Sequence, residues 1–226
     1  MKIQQTLART AAGIALGTLL AACASQGPQI SHDGLELQPG TQLDQVYLKP
    51  GVSLAGYNEV GVEPCTVAFR KNWLRDQNTN RIDLTRRVTQ EDVDKIKDSL
   101  AEHCDKFFRE ALLEEPAYTI AESFDDGESV LVLRPSIINL DINAPDTMSP
   151  GISRTYTTSA GAATLSLEMA DATTGEVLVR VIDKRRDFDT GRLEWTNSVT
   201  NRADADRALR YWAGQLRKGL DRARAQ

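Results

Sequence analysis

The chain has 226 residues, with 27 Lys and Arg against 32 Asp and Glu and a formal net charge of −5. This length suits one domain, since domains cluster near ~100–150 residues, and 41% hydrophobic with 26% charged residues excludes a disordered or fibrous protein. The acidic balance argues against a nucleic-acid binder, which needs a basic face, and two histidines leave little material for a histidine metal cluster.

The N-terminus has the pattern of a secretory signal peptide over residues 1–22. Lys2 and Arg9 form a short positive region, and an uncharged apolar stretch follows at 11–22. As a helix this stretch would extend only ~18 Å, which is too short for a hydrocarbon core of ~30 Å. We therefore predict a cleaved leader and no membrane span.

The end of this stretch, Leu20-Ala21-Ala22-Cys23, resembles the lipobox of bacterial lipoproteins. The resemblance implies that cleavage falls before Cys23, whose thiol and new amine then carry acyl chains such as palmitate. Ala24 stands where an Asp would signal retention in the inner membrane. The resemblance therefore implies a lipid anchor in the outer membrane, with the protein facing the periplasm.

The mature chain divides into a tether and one domain. Residues 23–45 are rich in Ser, Gln, Gly, Pro and Asp, which is typical of a flexible tether, and a single domain is predicted over 46–226. The first predicted strand covers 57–70, with Pro64 at a bulge or an edge because proline has no amide hydrogen. A polar loop over 72–87 follows.

Two amphipathic helices are predicted. Thr89 followed by acidic residues is typical of a helix start, and Pro116 ends this helix. The second helix is predicted over 202–224. The apolar residues of the first recur at steps of three and four and are Val93, Ile96, Leu100, Cys104, Phe107, Phe108 and Ala111.

Strands are predicted over 128–142, 162–171 and 176–187 from alternating apolar residues. Residues 171–176 predict a hairpin turn in which Gly175 supplies a positive φ. These elements together predict an α+β fold. We expect a two-layer sandwich, with a mainly antiparallel sheet that carries the two long helices on one face.

Several short segments, at 47–57, 60–64, 171–176 and 212–220, together resemble an uncharacterised family of proteobacterial lipoproteins. The family is classed as a domain of unknown function, and the resemblance covers most of the mature chain. It carries no known activity, so it implies no catalytic residue.

Motifs for nucleotide binding, zinc hydrolysis or a serine nucleophile elbow do not occur in the sequence. His32 falls in the predicted tether, and His103 lies at the rim of the helical stripe. The acidic pairs at 125–126 and at Asp204 and Asp206 occupy ordinary solvent-facing positions. We therefore assign no catalytic residue, no metal ligand and no cofactor, and we expect no nucleic-acid partner.

The segment 143–161 is long for a connection between strands, and structureless loops beyond ~12–15 residues are usually functional or disordered. Met148, Ile152, Arg154 and Tyr156 give it apolar and basic side chains, so it is either a partner-contact surface or a mobile insertion. The basic end of the last helix, similarly, either contacts anionic lipid or cell wall or complements the helix dipole. Its cations are Arg217, Lys218, Arg222 and Arg224.

Cys65 and Cys104 remain as an even pair once Cys23 is acylated, and such pairs commonly bond in an oxidising compartment. Cys104 lies within the apolar stripe, and Cys65 shares a strand face with Val67 and Phe69. We predict a disulfide between them. The alternative is two buried free thiols that act as small apolar side chains.

These features favour an outer-membrane-anchored lipoprotein whose periplasmic domain binds or scaffolds an envelope protein or cell-wall partner. The alternative is an envelope enzyme, such as a cell-wall or polysaccharide hydrolase that uses Asp or Glu. A cleft with two or more convergent acidic side chains would favour the enzyme. A filled core with an exposed apolar patch would favour the binder.

Overall fold

The structure, a computed structural model, describes residues 29–79, 87–124, 129–142, 156–157, 161–186, 194–195 and 198–225. For residues 156–157, 194–195 and 198–201 the description covers the backbone alone. The predicted signal peptide and Cys23 lie outside the described residues, as do Met148, Ile152 and Arg154 of the predicted contact segment.

The described part of the chain forms ten strands and three helices, which makes the fold α+β as predicted. The strands are β1 Glu36–Leu37, β2 Gln45–Leu48, β3 Glu59–Val62, β4 Thr66–Phe69, β5 Thr119–Ile120, β6 Val130–Ile142, β7 Tyr156–Thr157, β8 Gly161–Asp171, β9 Val177–Arg186 and β10 Glu194–Trp195. The helices are α1 Trp73–Asn78, α2 Gln90–Leu113 and α3 Ser198–Arg224.

Eight strands form one sheet in the order β1-β2-β9-β8-β6-β3-β5, with β4 also paired to β6. Along the sheet, the neighbouring strands β1, β2, β9, β8 and β6 pair antiparallel. The predicted hairpin turn at Gly175 joins β8 to β9. The pairs of β3 with β5 and β6, and of β4 with β6, are parallel, which the sequence did not predict. Parallel pairing needs a long crossover, and here α1 and α2 supply it. Strands β7 and β10 pair separately.

Pro64 divides the predicted first strand into two. Val62 of β3 pairs with Leu133, and Thr66 of β4 pairs with Ser136, so both short strands lie along the same side of the long strand β6. Proline has no amide hydrogen to donate, so pairing stops at Pro64 and resumes beyond it.

The predicted tether is wrong from residue 29 onward, because this part of the chain packs on the domain. Ile30 bridges to Glu36, β1 and β2 join the sheet edge, and Leu35 is 1% exposed. Arg180 of β9 bonds Asp33 at 2.7 Å, and this hydrogen bond holds the pKa of the Asp33 carboxyl well below its usual range. The turn-forming residues of this region, from which a flexible coil was predicted, instead connect short strands.

The first long helix follows its prediction closely. Thr89 caps α2 with a reciprocal hydrogen-bonded pair, because its hydroxyl accepts from the Asp92 amide while the Asp92 carboxylate accepts from the Thr89 amide at 2.8 Å. The buried side chains of α2 are Val93, Cys104, Phe107, Phe108, Ala111 and Leu112.

The main core cluster draws on α2, α3 and the strands β3, β6, β8 and β9. Within it Cys65 and Cys104 form the predicted disulfide, with their Cα atoms 6.1 Å apart. The amide of Cys65 also donates to the Asp105 carboxylate at 2.8 Å. The segment that leads into β4 is therefore fixed to the middle of α2 by one covalent bond and one hydrogen bond.

Arg217 of α3 is 6% exposed and lies against the C-terminal end of α2. Its guanidinium donates to the carbonyls of Ala111 at 3.0 Å and Glu114 at 2.8 Å, and to that of Pro116. It also lies 4.6 Å from the centre of the Tyr118 ring. Arg217 therefore caps the C-terminal end of a neighbouring helix, so the alternative in which the basic end of the last helix contacts anionic lipid or cell wall does not apply to this buried residue.

Replacing Cys65 with Ala should lower the free energy of unfolding by about 2–4 kcal/mol, because the disulfide closes a 39-residue separation in the unfolded chain. Urea unfolding of the full chain, followed by circular dichroism with and without dithiothreitol, measures this loss. Reductant should leave the double variant Cys65→Ala/Cys104→Ala unchanged. Two titratable thiols in the non-reduced, denatured mature protein would contradict the bond.

Replacing Arg217 with Met should lower the free energy of unfolding by about 3 kcal/mol or more, because the buried carbonyls at the end of α2 lose a charged donor. Arg222→Met is the matched control: Arg222 is exposed and donates to the Lys218 carbonyl of its own helix. That control should change stability by less than about 0.5 kcal/mol. Equal urea midpoints for the two variants would show that the cap contributes little.

Candidate functional site

An apolar cavity of about 300 Å³ lies at one end of the sheet, between the strands and the first half of α3. The end of β6, the start of β8 and the end of β9 contribute to it, together with one residue of α2. Its lining residues are Leu100, Ile137, Leu140, Ile142, Gly161, Ala162, Ala163, Arg185, Arg186, Asp204, Ala205, Arg207, Ala208, Leu209, Tyr211 and Trp212.

A buried carboxylate fixes one wall of the cavity. Asp183 is 1% exposed and accepts hydrogen bonds from the Asp44 amide at 2.9 Å, from Trp212 Nε1 at 2.8 Å and from Arg185 Nε at 2.8 Å. Each oxygen of this carboxylate therefore has a donor, as a buried charge requires. The network holds β9, α3 and the segment before β2 in one arrangement.

Two contacts hold the Arg185 side chain in place. Its guanidinium lies 3.8 Å from the centre of the Tyr211 ring, while its Nε bonds Asp183. Burial alone would lower the pKa of Arg185, but the hydrogen bond that Arg185 donates to Asp183 and the charge of that carboxylate raise it. Arg185 is therefore a fixed cation in the lining of the cavity.

The charged residues of the lining carry a net positive charge. Arg185, Arg186 and Arg207 contribute three cations, and Asp204 is the one carboxylate among the lining residues. Asp204 forms an ion pair with Arg207. Arg186 is exposed at the end of β9, and none of the described residues forms an ion pair with it.

His103 lies between the two long helices rather than in the cavity. Its Nδ1 is 2.6 Å from Asp206, and its Nε2 is 2.9 Å from the Arg202 guanidinium. A guanidinium can only donate, so Nε2 accepts and the proton resides on Nδ1. The pair resembles a histidine oriented by a carboxylate for catalysis, but an arginine occupies the place of a nucleophile.

The two acidic residues at the start of α3 do not converge. Asp204 lines the cavity with Arg207, whereas Asp206 bonds His103 across the helix interface. The pair at 125–126 lies outside the described residues, and His32 is exposed in a turn. Among the described residues there is no group of three or more His, Cys, Asp or Glu that could hold a metal ion.

The residue before the predicted contact segment 143–161 and the last residue of that segment both line the cavity. Ile142, the last residue of β6, and Gly161, the first residue of β8, pair in the sheet and both line the cavity. Tyr156 is described by its backbone alone and pairs with Trp195. Met148, Ile152 and Arg154 are not among the described residues, so their predicted role stays a prediction.

The cavity itself was not predicted from the sequence. The signal that could have indicated it is the run of small residues at 161–163, opposite Ala205 and Ala208 one turn apart on α3. Gly161 has φ 142°, and any side chain there would collide with the Asp141 carbonyl. Small residues on both elements leave space that larger ones would fill.

The described residues form an α+β fold with an apolar cavity, and none of their helices is both long and apolar enough to cross a bilayer. The chain belongs to the family described as "Protein of unknown function (DUF3313)", whose model matches residues 30–216. This confirms the resemblance to an uncharacterised family. The match begins within two residues of the first described residue, Gln29.

Solved structures that are similar to this chain include the following two. A PelC dodecamer from Paraburkholderia phytofirmans has 13% sequence identity and a TM-score of 0.36, over 75% of this chain and 96% of that chain. A neuraminyllactose-binding hemagglutinin homologue from Helicobacter pylori has 12% identity and a TM-score of 0.36, over 73% and 86%. At these scores neither likeness carries an argument about function. No curated protein matches the chain.

Proposed function

We propose that this protein is an outer-membrane-anchored lipoprotein whose periplasmic domain binds an apolar ligand in the cavity beneath α3. The cavity is the observation that carries the proposal. Ligand pockets are concave and mostly apolar, with a few charged groups at defined positions, and they occupy ~300–1,000 Å³. A cavity of about 300 Å³ with arginines in its lining matches that description.

The proposed architecture is a two-layer sandwich in which α2 and α3 cover one face of the sheet. The shared core cluster of both helices with β6, β8 and β9 supports this arrangement. In it the cavity is the part of the interlayer space that the start of α3 leaves unfilled.

The anchor rests on the lipobox at Cys23, and Ala24 favours outer-membrane delivery. Because the fold begins by residue 29, the chain between Cys23 and Gln29 spans at most ~3.3–3.6 Å per residue, or about 20 Å. The domain would therefore lie close to the bilayer surface, nearer than a tether reaching to residue 45 would place it.

Two observations support binding over hydrolysis. A hydrolase of the Asp/Glu type needs two carboxylates facing one cleft, and the described cavity lining contains one, Asp204, which is paired with Arg207. The one described histidine with a carboxylate partner, His103, has its Nε2 in contact with Arg202. Neither group is positioned to activate water.

Replacing Cys23 with Ser should abolish the anchor, because the hydroxyl cannot take the thioether-linked lipid. Radiolabelled palmitate should enter the wild type and not Cys23→Ser, which should accumulate as an unprocessed precursor. Density separation of membranes should place the wild type in the outer fraction. Labelled Cys23→Ser would contradict the anchor, and wild type in the inner fraction would contradict the sorting.

Filling the cavity should strongly reduce the binding of an apolar probe in it. Ala205 lines the cavity, so Ala205→Trp puts an indole in it, whereas Ala203→Trp makes the same change at an exposed position of α3. Membranes that carry the full chain are irradiated with diazirine-bearing hexadecanol, and adducts are mapped by peptide mass spectrometry. Adducts on β8 and α3 should fall about tenfold in Ala205→Trp and persist in Ala203→Trp.

Circular dichroism of each variant establishes that the fold is retained. Absence of cavity adducts in the folded wild type would overturn the proposed function. Equal labelling of the wild type and folded Ala205→Trp would overturn it as well, because it would place the adducts outside the cavity.

A further inference from the structure

Most of the cavity wall is hydrocarbon. Leucine, isoleucine and alanine side chains from α2, α3, β6 and β8 form it, and the Trp212 indole N–H already donates to Asp183. A polar group buried against this wall would lose its water without gaining a hydrogen-bond partner. The buried part of a ligand must therefore be apolar throughout, and a flexible saturated chain meets that requirement.

The size of the cavity limits how many chains it holds. About 300 Å³ lies at the lower end of the ~300–1,000 Å³ range for small-molecule pockets. One acyl chain suits this volume better than the two chains of a diacyl phospholipid. The cavity therefore favours a single-chain molecule.

The lining places positive charge beside this apolar space. Asp183 holds Arg185, and Asp204 pairs with Arg207, so each of these cations has a described counter-charge. Arg186 lines the same cavity, is exposed, and has no ion-pair partner among the described residues. A guanidinium in this position can donate two parallel hydrogen bonds to a carboxylate or a phosphate.

We propose that the ligand is a single-chain lipid with an anionic head group, its chain in the cavity and its head group at Arg186. The proposal rests on the proposed function and adds the chemical class of the ligand. Charge complementarity at Arg186 supports the anion, and the aliphatic wall supports the chain. Carboxylate and phosphate head groups share this chemistry and are separated by the choice of probe.

The test compares three diazirine-bearing sixteen-carbon probes: hexadecanoic acid, hexadecyl phosphate and hexadecanol. Each is applied at equal concentration to isolated membranes that carry the full chain, without ATP or coenzyme A, so that the acid is not esterified. Adducts on β8 and α3 are quantified by peptide mass spectrometry. The charged probes should label the cavity about tenfold more than hexadecanol, because they gain a charge-assisted hydrogen bond.

Arg186→Gln removes the proposed head-group contact at an exposed position, and Arg222→Gln removes an equal charge elsewhere on the surface. The excess labelling by the charged probe should disappear in Arg186→Gln and persist in Arg222→Gln, while hexadecanol labels all three proteins equally. An excess for the acid alone assigns a carboxylate, and an excess for the phosphate alone assigns a phosphate; both support the proposal.

Equal labelling by all three probes in the wild type would overturn the anionic head group and leave the proposed function standing. An excess that survives in Arg186→Gln would overturn the assignment to this residue. Absence of cavity adducts from every probe would overturn the proposed function itself, so the two failures are distinguishable.

Discussion

The guanidinium of Arg217 sets how the two long helices meet. The last carbonyls of a helix have no partner within it and carry partial negative charge, so the end of α2 needs donors. Arg217 supplies them from α3, and its Nε bonds Asp221 one turn further along its own helix at 2.9 Å. The disulfide at Cys104 fixes α2 to the chain entering β4. These two attachments, one electrostatic and one covalent, link α3 to α2 and α2 to the chain entering β4.

The cavity follows from the position of α3. Large side chains of α3 from Leu209 onward are buried in the core cluster, and they include Trp212, Leu216 and Leu220. Toward its start the small lining residues are Ala205 and Ala208, and the small residues at the start of β8 line the same cavity. Because large side chains hold α3 at a fixed distance along one part of its length, the helix cannot approach β8 closely where its side chains are small. Space therefore remains between the small residues of α3 and β8.

Periodicity predicted the long elements well, because the apolar stripe of α2 and the alternation in β6, β8 and β9 are local patterns. β3 and β4 each pair in parallel with β6, which follows α2 in the chain. No local sequence pattern encodes a pairing between strands so far apart in the chain. Residues 29–45 have the composition of a tether, yet they are joined to the domain by the buried Leu35, by the ion pair of Asp33 and by the hydrogen bond from the Asp44 amide to Asp183. Arg217 is one of several similar cations in the last helix, and only its neighbours distinguish it.

Ile142, which precedes the segment 143–161, and Gly161, its last residue, both line the cavity, which was not predicted. The net charge of −5 gives no hint of a basic site. At physiological ionic strength charges separated by more than ~8 Å are largely screened, so the total charge has little influence on a bound group. Asp183 and Asp204 neutralise their own arginines at close range. The electrostatic attraction on an anion at the cavity therefore depends mainly on its distance from Arg186. For this reason one exposed arginine can select an anionic head group on an acidic protein.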